Sequence, residues 1–177
     1  VTYRATVDPA FLSDSFDGPP ELDEYYGFRP GDSLAIEDAD LGIDDYDTVL
    51  VLWTAAGLPV RPEGRDSQTA MARQLASEQV RLFGLYDGEQ LVGAVLATHD
   101  TRRGTINRLA VDPAYRRQGL AQRLIAACEA WFHEQGIDVW MALIEAENKA
   151  SLALFEHEGY RLHEKIVYVS KRTRGEA

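Results

Sequence analysis

The spacing of apolar positions changes period several times along the chain. From Ile43 to about Ala56, Val49, Leu50, Leu52 and Trp53 recur at helical spacing, and Gly57 closes the run. A polar loop from Leu58 to Asp66 follows, and a second helix is predicted over about Ser67 to Ser77. The period then shortens. Arg81–Tyr86 and Leu91–Ala97 flank Asp87-Gly88, the signal of a tight β-hairpin. A second polar turn, His99–Arg103, leads into a strand at Thr105–Val111. In the next stretch Leu120, Leu124, Cys128, Trp131 and Phe132 mark one face of a helix over Gly119–Gln135, which Gly136 ends. A buried-type strand is predicted at Val139–Ile144, a helix from the capping Asn148 to about Glu158, and a last strand at Leu162–Ser170. Residues 34–37 suit a short first strand. The strand at 105–111, the helix and the strand at 139–144 form a βαβ unit, so those two strands should be parallel. The expected class is α+β, with a central mixed antiparallel and parallel sheet flanked by helices.

Length and composition add bounds. A chain of 177 residues with 45% hydrophobic content fits one domain with a full core. No apolar run approaches the roughly 20 residues of a membrane span. The first residues show no secretory pattern. The one cysteine, Cys128, rules out an internal disulfide and sits on the apolar helix face, so it reads as core. A cytoplasmic protein is expected, with no membrane partner.

Charge separates the chain into two parts. Residues 1–47 hold 13 Asp and Glu against 2 Arg, while residues 48–177 hold 16 acids and 16 bases. The whole net charge of −11 therefore lies in the first quarter. That argues against nucleic acid as a partner. Residues 1–33 are also rich in Gly, Pro, Asp and Ser, and read as a weakly ordered acidic arm ahead of a domain over 34–177. The acidity suits either a solvated arm or a cationic substrate.

The segment most suggestive of chemistry is Val111-Asp-Pro-Ala-Tyr-Arg-Arg-Gln-Gly-Leu-Ala121. A strand ends, proline breaks it, and Arg116 and Arg117 precede a glycine that opens a helix. Gly119 lets backbone approach a ligand, and Ala121 is small enough not to block it. First-turn N–H groups lack intrahelical partners and lie at the positive end of the helix dipole. Such a terminus suits a pyrophosphate. A basic loop before an ordinary helix is the plainer alternative. The segment has neither the Gly-Lys-Ser/Thr of a Walker loop nor a GxGxxG pattern.

Arg116-x-x-Gly119-x-Ala121, directly after Leu109-Ala-Val-Asp-Pro113, resembles the acyl-CoA signature of the GNAT superfamily of acetyl-CoA-dependent N-acetyltransferases. Asn148-Lys-Ala-Ser-Leu-Ala-Leu-Phe-Glu-His-Glu-Gly-Tyr160 is similar to a second segment of that family. The resemblance covers about residues 34–170. It implies a GNAT-like acyl-CoA N-acyltransferase fold, acetyl-CoA as cosubstrate, no metal, and a homodimer as one possible assembly. It also implies roles. Leu109 and Val111, with Ala110 between them, would offer backbone groups to the pantetheine arm. Arg116, Arg117, Gln118, Gly119, Leu120 and Ala121 would hold the pyrophosphate. Asn148 and Ser151 would meet the pantetheine arm, and Phe155 would pack beside the thioester. A neutral amine would attack the thioester directly, with a backbone N–H near Leu109 or Ala110 facing the oxyanion.

Two positions depart from the family pattern. Phe155 stands where many members have a tyrosine that protonates the leaving thiolate, and phenylalanine donates no proton. Asn107 stands near the usual glutamate and cannot act as a base. Asn107, Glu145 and Tyr160 are the remaining catalytic candidates, with Tyr86, Ser151, His99 and Asp100 behind them. On the acceptor side, Arg65, Asn107 and Arg108 are candidates, the two arginines as a clamp for a carboxylate or phosphate. Ordinary loop ion pairs are the plainer account of both. The expected reaction is acetyl transfer to a primary amine of a small molecule or peptide in a ternary complex. The missing groups also admit a non-catalytic acyl-CoA-binding regulatory module, and the acidic arm admits an autoinhibitory cover.

Overall fold

The computed structural model describes residues 36–171. The acidic arm expected over 1–33 lies outside the described residues. Five strands form one sheet in the order β1 (Ile36–Leu41), β2 (Val80–Asp87), β3 (Gln90–His99), β4 (Gly104–Val111) and β5 (Trp140–Ala142). The first four are antiparallel neighbours, and β4 pairs with β5 in parallel. The helices are α1 (Tyr46–Ala55), α2 (Gln68–Leu75), α3 (Leu120–Glu134) and α4 (Lys149–His157). Short 3-10 turns at Ile43–Asp45 and Pro113–Tyr115 lead toward α1 and α3. This is the mixed sheet with flanking helices that the sequence pattern predicts.

β3 is the central strand, and its side chains alternate between two cores. Val95 and Ala97 face a cluster with Leu124, Ile125, Cys128 and Phe132 of α3. Ala94 and Leu96 face a second cluster with Val49, Leu52 and Trp53 of α1 and Met71 of α2. A strand buried on both faces reads as a continuous apolar run, as Leu91–Ala97 does. Cys128 is fully buried, and burial pushes its thiol up to about 12. Ser67 caps α2 by accepting from the Ala70 N–H.

Three expected strands shift. The first, predicted at 34–37, runs over Ile36–Leu41, where Glu37, Asp38 and Asp40 are exposed along the margin of the sheet. Asp38 is held by Arg123 and Asp40 by Arg81. The strand predicted at 139–144 shrinks to three residues, because β4 and β5 pair only from Gly104 to Ile106 and then part. The strand predicted at Leu162–Ser170 does not form. A strand exists through its ladder, and here Ile166, Val167, Tyr168 and Val169 are 72–86% exposed with no strand beside them.

Candidate active site

The parting of β4 from β5 creates the site. Beyond Ile106 the β5-facing edge of β4 has no ladder partner, while its other edge continues to pair with β3. Within that half, Leu96 stands opposite Asn107 and Ala94 opposite Ala110. Val95 alone therefore spans Arg108 and Leu109, which is a β-bulge. Arg108 occupies the bulge at φ +55°, in the left-handed region. That conformation costs a non-glycine residue about 1–2 kcal/mol, so surrounding contacts must hold it.

A cavity of about 750 Å³ opens beside this edge. It brings together Asn107, Arg108 and Leu109 of β4, Glu145 after β5, and Asn148, Ser151 and Phe155 of the α4 segment. Trp53, Arg65 and Asp66 close it from the side of α1 and α2. Seven residues singled out in the sequence thus meet one space: Arg65, Asn107, Arg108, Leu109, Asn148, Ser151 and Phe155. Glu145 makes an eighth, and its carboxylate has no hydrogen-bond or ion-pair partner among the described residues.

Asn148 caps α4 and lines the cavity. Its Oδ1 accepts from the Ser151 N–H at 3.1 Å, capping α4, and its Nδ2 remains free at the cavity. Phe155 is buried against Tyr160, with their rings 4.9 Å apart edge to face. Asn107 donates to Thr98 Oγ1 and to the Thr105 carbonyl, both at 3.1 Å.

The helix-opening loop adjoins the cavity without lining it. Arg117 at φ +59° and Gly119 at φ +74° turn the backbone twice before α3, and Gly119 takes the N-cap position. A concave run of backbone N–H groups at a helix start fits an anionic pyrophosphate. A side-chain carbon at Gly119 would meet only Gln122 Oε1, at 3.7 Å, so the approach is open. Arg116 donates from Nη2 to the Ala56 carbonyl at 3.1 Å, which joins this loop to the end of α1 at the cavity rim. The Arg117 guanidinium has no partner among the described residues. Ala110 is buried, and Val111 pairs with Gly93.

Other candidates stand elsewhere. Tyr160 donates to Glu129 Oε1 at 2.7 Å, and burial followed by that carboxylate raises its pKa well above the ordinary phenol value. His99 accepts at Nδ1 from the Thr101 N–H, and its ring leans on Trp131. Asp100 accepts from the N–H groups of Arg102 and Arg103, which hold its carboxyl below the usual range. Both serve the β3–β4 turn. Tyr86 donates to Asp45. None of these four lines the cavity. The described acidic residues near β1 lie outside it too.

Sequence reasoning missed Asp66 and Thr98. Asp66 is the one buried charged residue among those described, yet it follows Arg65 in a loop and reads as an ordinary surface acid.

A sheet that parts beside a helix-opening turn is the acyl-CoA N-acyltransferase fold, and solved structures share it. The complex of AAC(6')-Iy with the bisubstrate analogue CoA-S-monomethyl-acetylneamine superposes with a TM-score of 0.67 at 18% identity, covering 77% of this chain and 98% of that one. The PaiA N-acetyltransferase of Thermoplasma acidophilum in complex with coenzyme A gives 0.64 at 17% identity, covering 80% and 94%. Among sequences, an acetyltransferase of Sodalis glossinidius is 26% identical over 129 residues, 73% of this chain and 89% of its own length. The profile of the Acetyltransferase (GNAT) family matches residues 48–160. The chain belongs to that family and is an acetyltransferase.

Proposed function

We propose that this enzyme transfers an acetyl group from acetyl-CoA to a primary amine of a small molecule or peptide, by direct attack in a ternary complex. The observation that carries the reading is the unpaired edge of β4 facing a cavity whose far rim is tied to the helix-opening loop. In this reading the loop from Arg116 to Ala121 binds the pyrophosphate. Leu109, Ala110 and Val111 offer backbone groups to the pantetheine arm, and the free Nδ2 of Asn148 donates to it. Ser151 and Phe155 line the thioester end. A backbone N–H at the bulge faces the oxygen that becomes negative as the amine attacks.

Proton removal falls to Glu145, the cavity carboxylate left without a partner, acting through water. Tyr160 is already committed to Glu129, so the thiolate leaves without help from that hydroxyl. The charges also bear on the acceptor. Asp66 is paired with Arg108 and, at 3.7 Å, with Arg65, which leaves Glu145 as the cavity carboxylate without a partner among the described residues. One free carboxylate suits an amine of low positive charge better than a polycation. Arg65, half-exposed and held to Asp66 only through Nε at 3.7 Å, is the group for an anionic part of the acceptor, with Asn107 in the same cavity.

A cytoplasmic location accompanies this reading, since the one cysteine is buried and needs no oxidising compartment. The expected homodimer fits it as well. Met141 in β5 and Val139 and Leu143 at its two ends stand exposed, and a second copy would cover them. Light scattering at two protein concentrations tests this; a monomer at both rejects it.

Thermal shift with acetyl-CoA, followed by an amine panel assayed for free thiol, tests the function. At a ligand concentration of about 100 Kd the gain is about 2.7 kcal/mol. No stabilisation by acetyl-CoA overturns the proposal. Glu145→Gln should lower kcat about hundredfold while leaving the acetyl-CoA-induced thermal shift unchanged. A kcat equal to wild type assigns the proton elsewhere.

A further inference from the structure

Arg108 poses a problem that its own strand does not solve. It adopts a left-handed backbone conformation without being glycine, at the bulge where Val95 faces two residues of β4. Something outside the sheet must hold it there. Its guanidinium is engaged on three sides. Nη1 donates to the Pro59 carbonyl at 2.8 Å, Nη2 donates to Asp66 Oδ1, and the fork lies over the Trp53 ring, 5.0 Å from its centre.

Asp66 is fixed in turn. Its Oδ2 accepts from the Arg61 N–H at 2.8 Å, and its own carbonyl accepts from the buried Tyr46 hydroxyl at 2.9 Å. Both carboxylate oxygens are used, and the side chain is 9% exposed. A buried ion pair is a costly way to join two elements, because both charges lose water and apolar packing could fill the same space. What it supplies beyond packing is a fixed direction and length. Here that direction runs from the loop at 57–66 to the bulge. The second residue of the bulge is Leu109, which lines the cavity on the stretch of β4 beyond its last pairing with β5.

We infer that the Asp66–Arg108 pair is a positioning device. It pins the bulge of β4, and so aims the backbone of Arg108 and Leu109 into the gap, by tying them to the loop between α1 and α2. The inference rests on the acetyl-CoA reading for what the aimed groups bind, but not for the tie itself. It also changes the role of Arg108. A guanidinium already engaged by Asp66 and Pro59 positions the site, and the more exposed Arg65, which meets Asp66 Oδ2 only through Nε at 3.7 Å, is the acceptor-side cation.

Two conservative variants test the device. Asp66→Asn keeps the shape but removes the charge. Arg108→Lys keeps the charge but loses the fork, so one ammonium cannot serve Pro59 and Asp66 together. Hydrogen exchange on the unliganded protein is the first measurement. In Asp66→Asn, peptides covering 107–111 should exchange about tenfold faster together with those covering 57–66, while Leu124–Phe132 keeps its protection. The same result should follow from Arg108→Lys, and the double variant should go no further than either single one. Exchange that rises at 57–66 alone, with 107–111 unchanged, overturns the inference.

Calorimetry with two ligands is the second measurement. In the acetyl-CoA reading the pantetheine arm enters the gap, whereas adenosine 3′,5′-bisphosphate has no such arm. Each variant should lose about tenfold in affinity for acetyl-CoA and less than about twofold for the bisphosphate. Equal losses for both, or none for acetyl-CoA, overturn the inference. A wild-type protein that binds neither ligand refutes the acetyl-CoA reading instead, and the exchange result then decides the device alone.

Discussion

The Tyr160 hydroxyl donates to Glu129 Oε1 at 2.7 Å, and the Trp140 indole N–H reaches the same oxygen at 3.3 Å. One carboxylate on α3 therefore anchors both β5 and the end of the α4 segment. Tyr160 is the tyrosine nearest in sequence to Phe155, so it is the natural suspect for the missing proton donor. Its geometry makes it a strut instead. Tyr160→Phe should cost about 1–2 kcal/mol of stability through the lost hydrogen bond. Turnover should stay within about threefold, against the roughly hundredfold loss that removing a general acid brings. Urea melts and kcat measured on the same preparation decide between the two.

Asn148 allows capping and ligand binding to be separated. Asn148→Asp keeps an oxygen for the Ser151 N–H but loses the Nδ2 donor. Its melting temperature should stay near wild type while acetyl-CoA affinity falls about tenfold, the equivalent of about 1.4 kcal/mol. Asn148→Ala should lose the cap as well, at about 1 kcal/mol of stability. Equal affinity in wild type and Asn148→Asp would leave Asn148 as a cap only.

Gly119 has a left-handed φ but open space around its α-carbon. Gly119→Ala should therefore lose only the conformational term, about 1–2 kcal/mol. Gly119→Glu adds a carboxylate where a pyrophosphate is expected. It should fold, by circular dichroism, and show no acetyl-CoA-induced thermal shift. A shift equal to that of Gly119→Ala would move the phosphate site away from this turn.

Alkaline stability depends on two acids, the buried Cys128 and the half-buried Tyr160. Cys128 is raised from an ordinary 9.0 to about 12, mainly by burial. Tyr160 is raised above its ordinary 10.0 for the same first reason. In both cases the unfolded chain ionises first, so stability is full below pH 9 and declines as pH climbs toward 12. Denaturation midpoints should drop between pH 7 and about pH 10.5 in wild type, and drop less in Cys128→Ala. Parallel declines would remove Cys128 from the account.

Much of this was legible in the sequence because it depends on local order. The hairpin around Asp87-Gly88, the amphipathic face of α3 and the cap at Asn148 all follow from spacing within a few residues. The motif from Arg116 to Ala121 located the turn before α3 for the same reason. The Asp66–Arg108 tie spans 42 residues and connects a loop to a bulge, and no periodicity encodes it. The missing strand at Leu162–Ser170 is the converse case. Its residues have the right composition, but pairing needs a neighbour, and composition does not provide one.

The two margins of the described sheet are unlike. β1 carries Glu37, Asp38 and Asp40 on one side, the kind of charge that keeps a strand edge from recruiting another. β5 carries Trp140, Met141 and Ala142 on the other, with no charge among them. Among the described residues, then, the proposed second copy would find one guarded margin and one bare one. Two copies meeting bare margin to bare margin would leave a guarded margin at each end. Growth of that kind would close at a pair instead of running on into a filament.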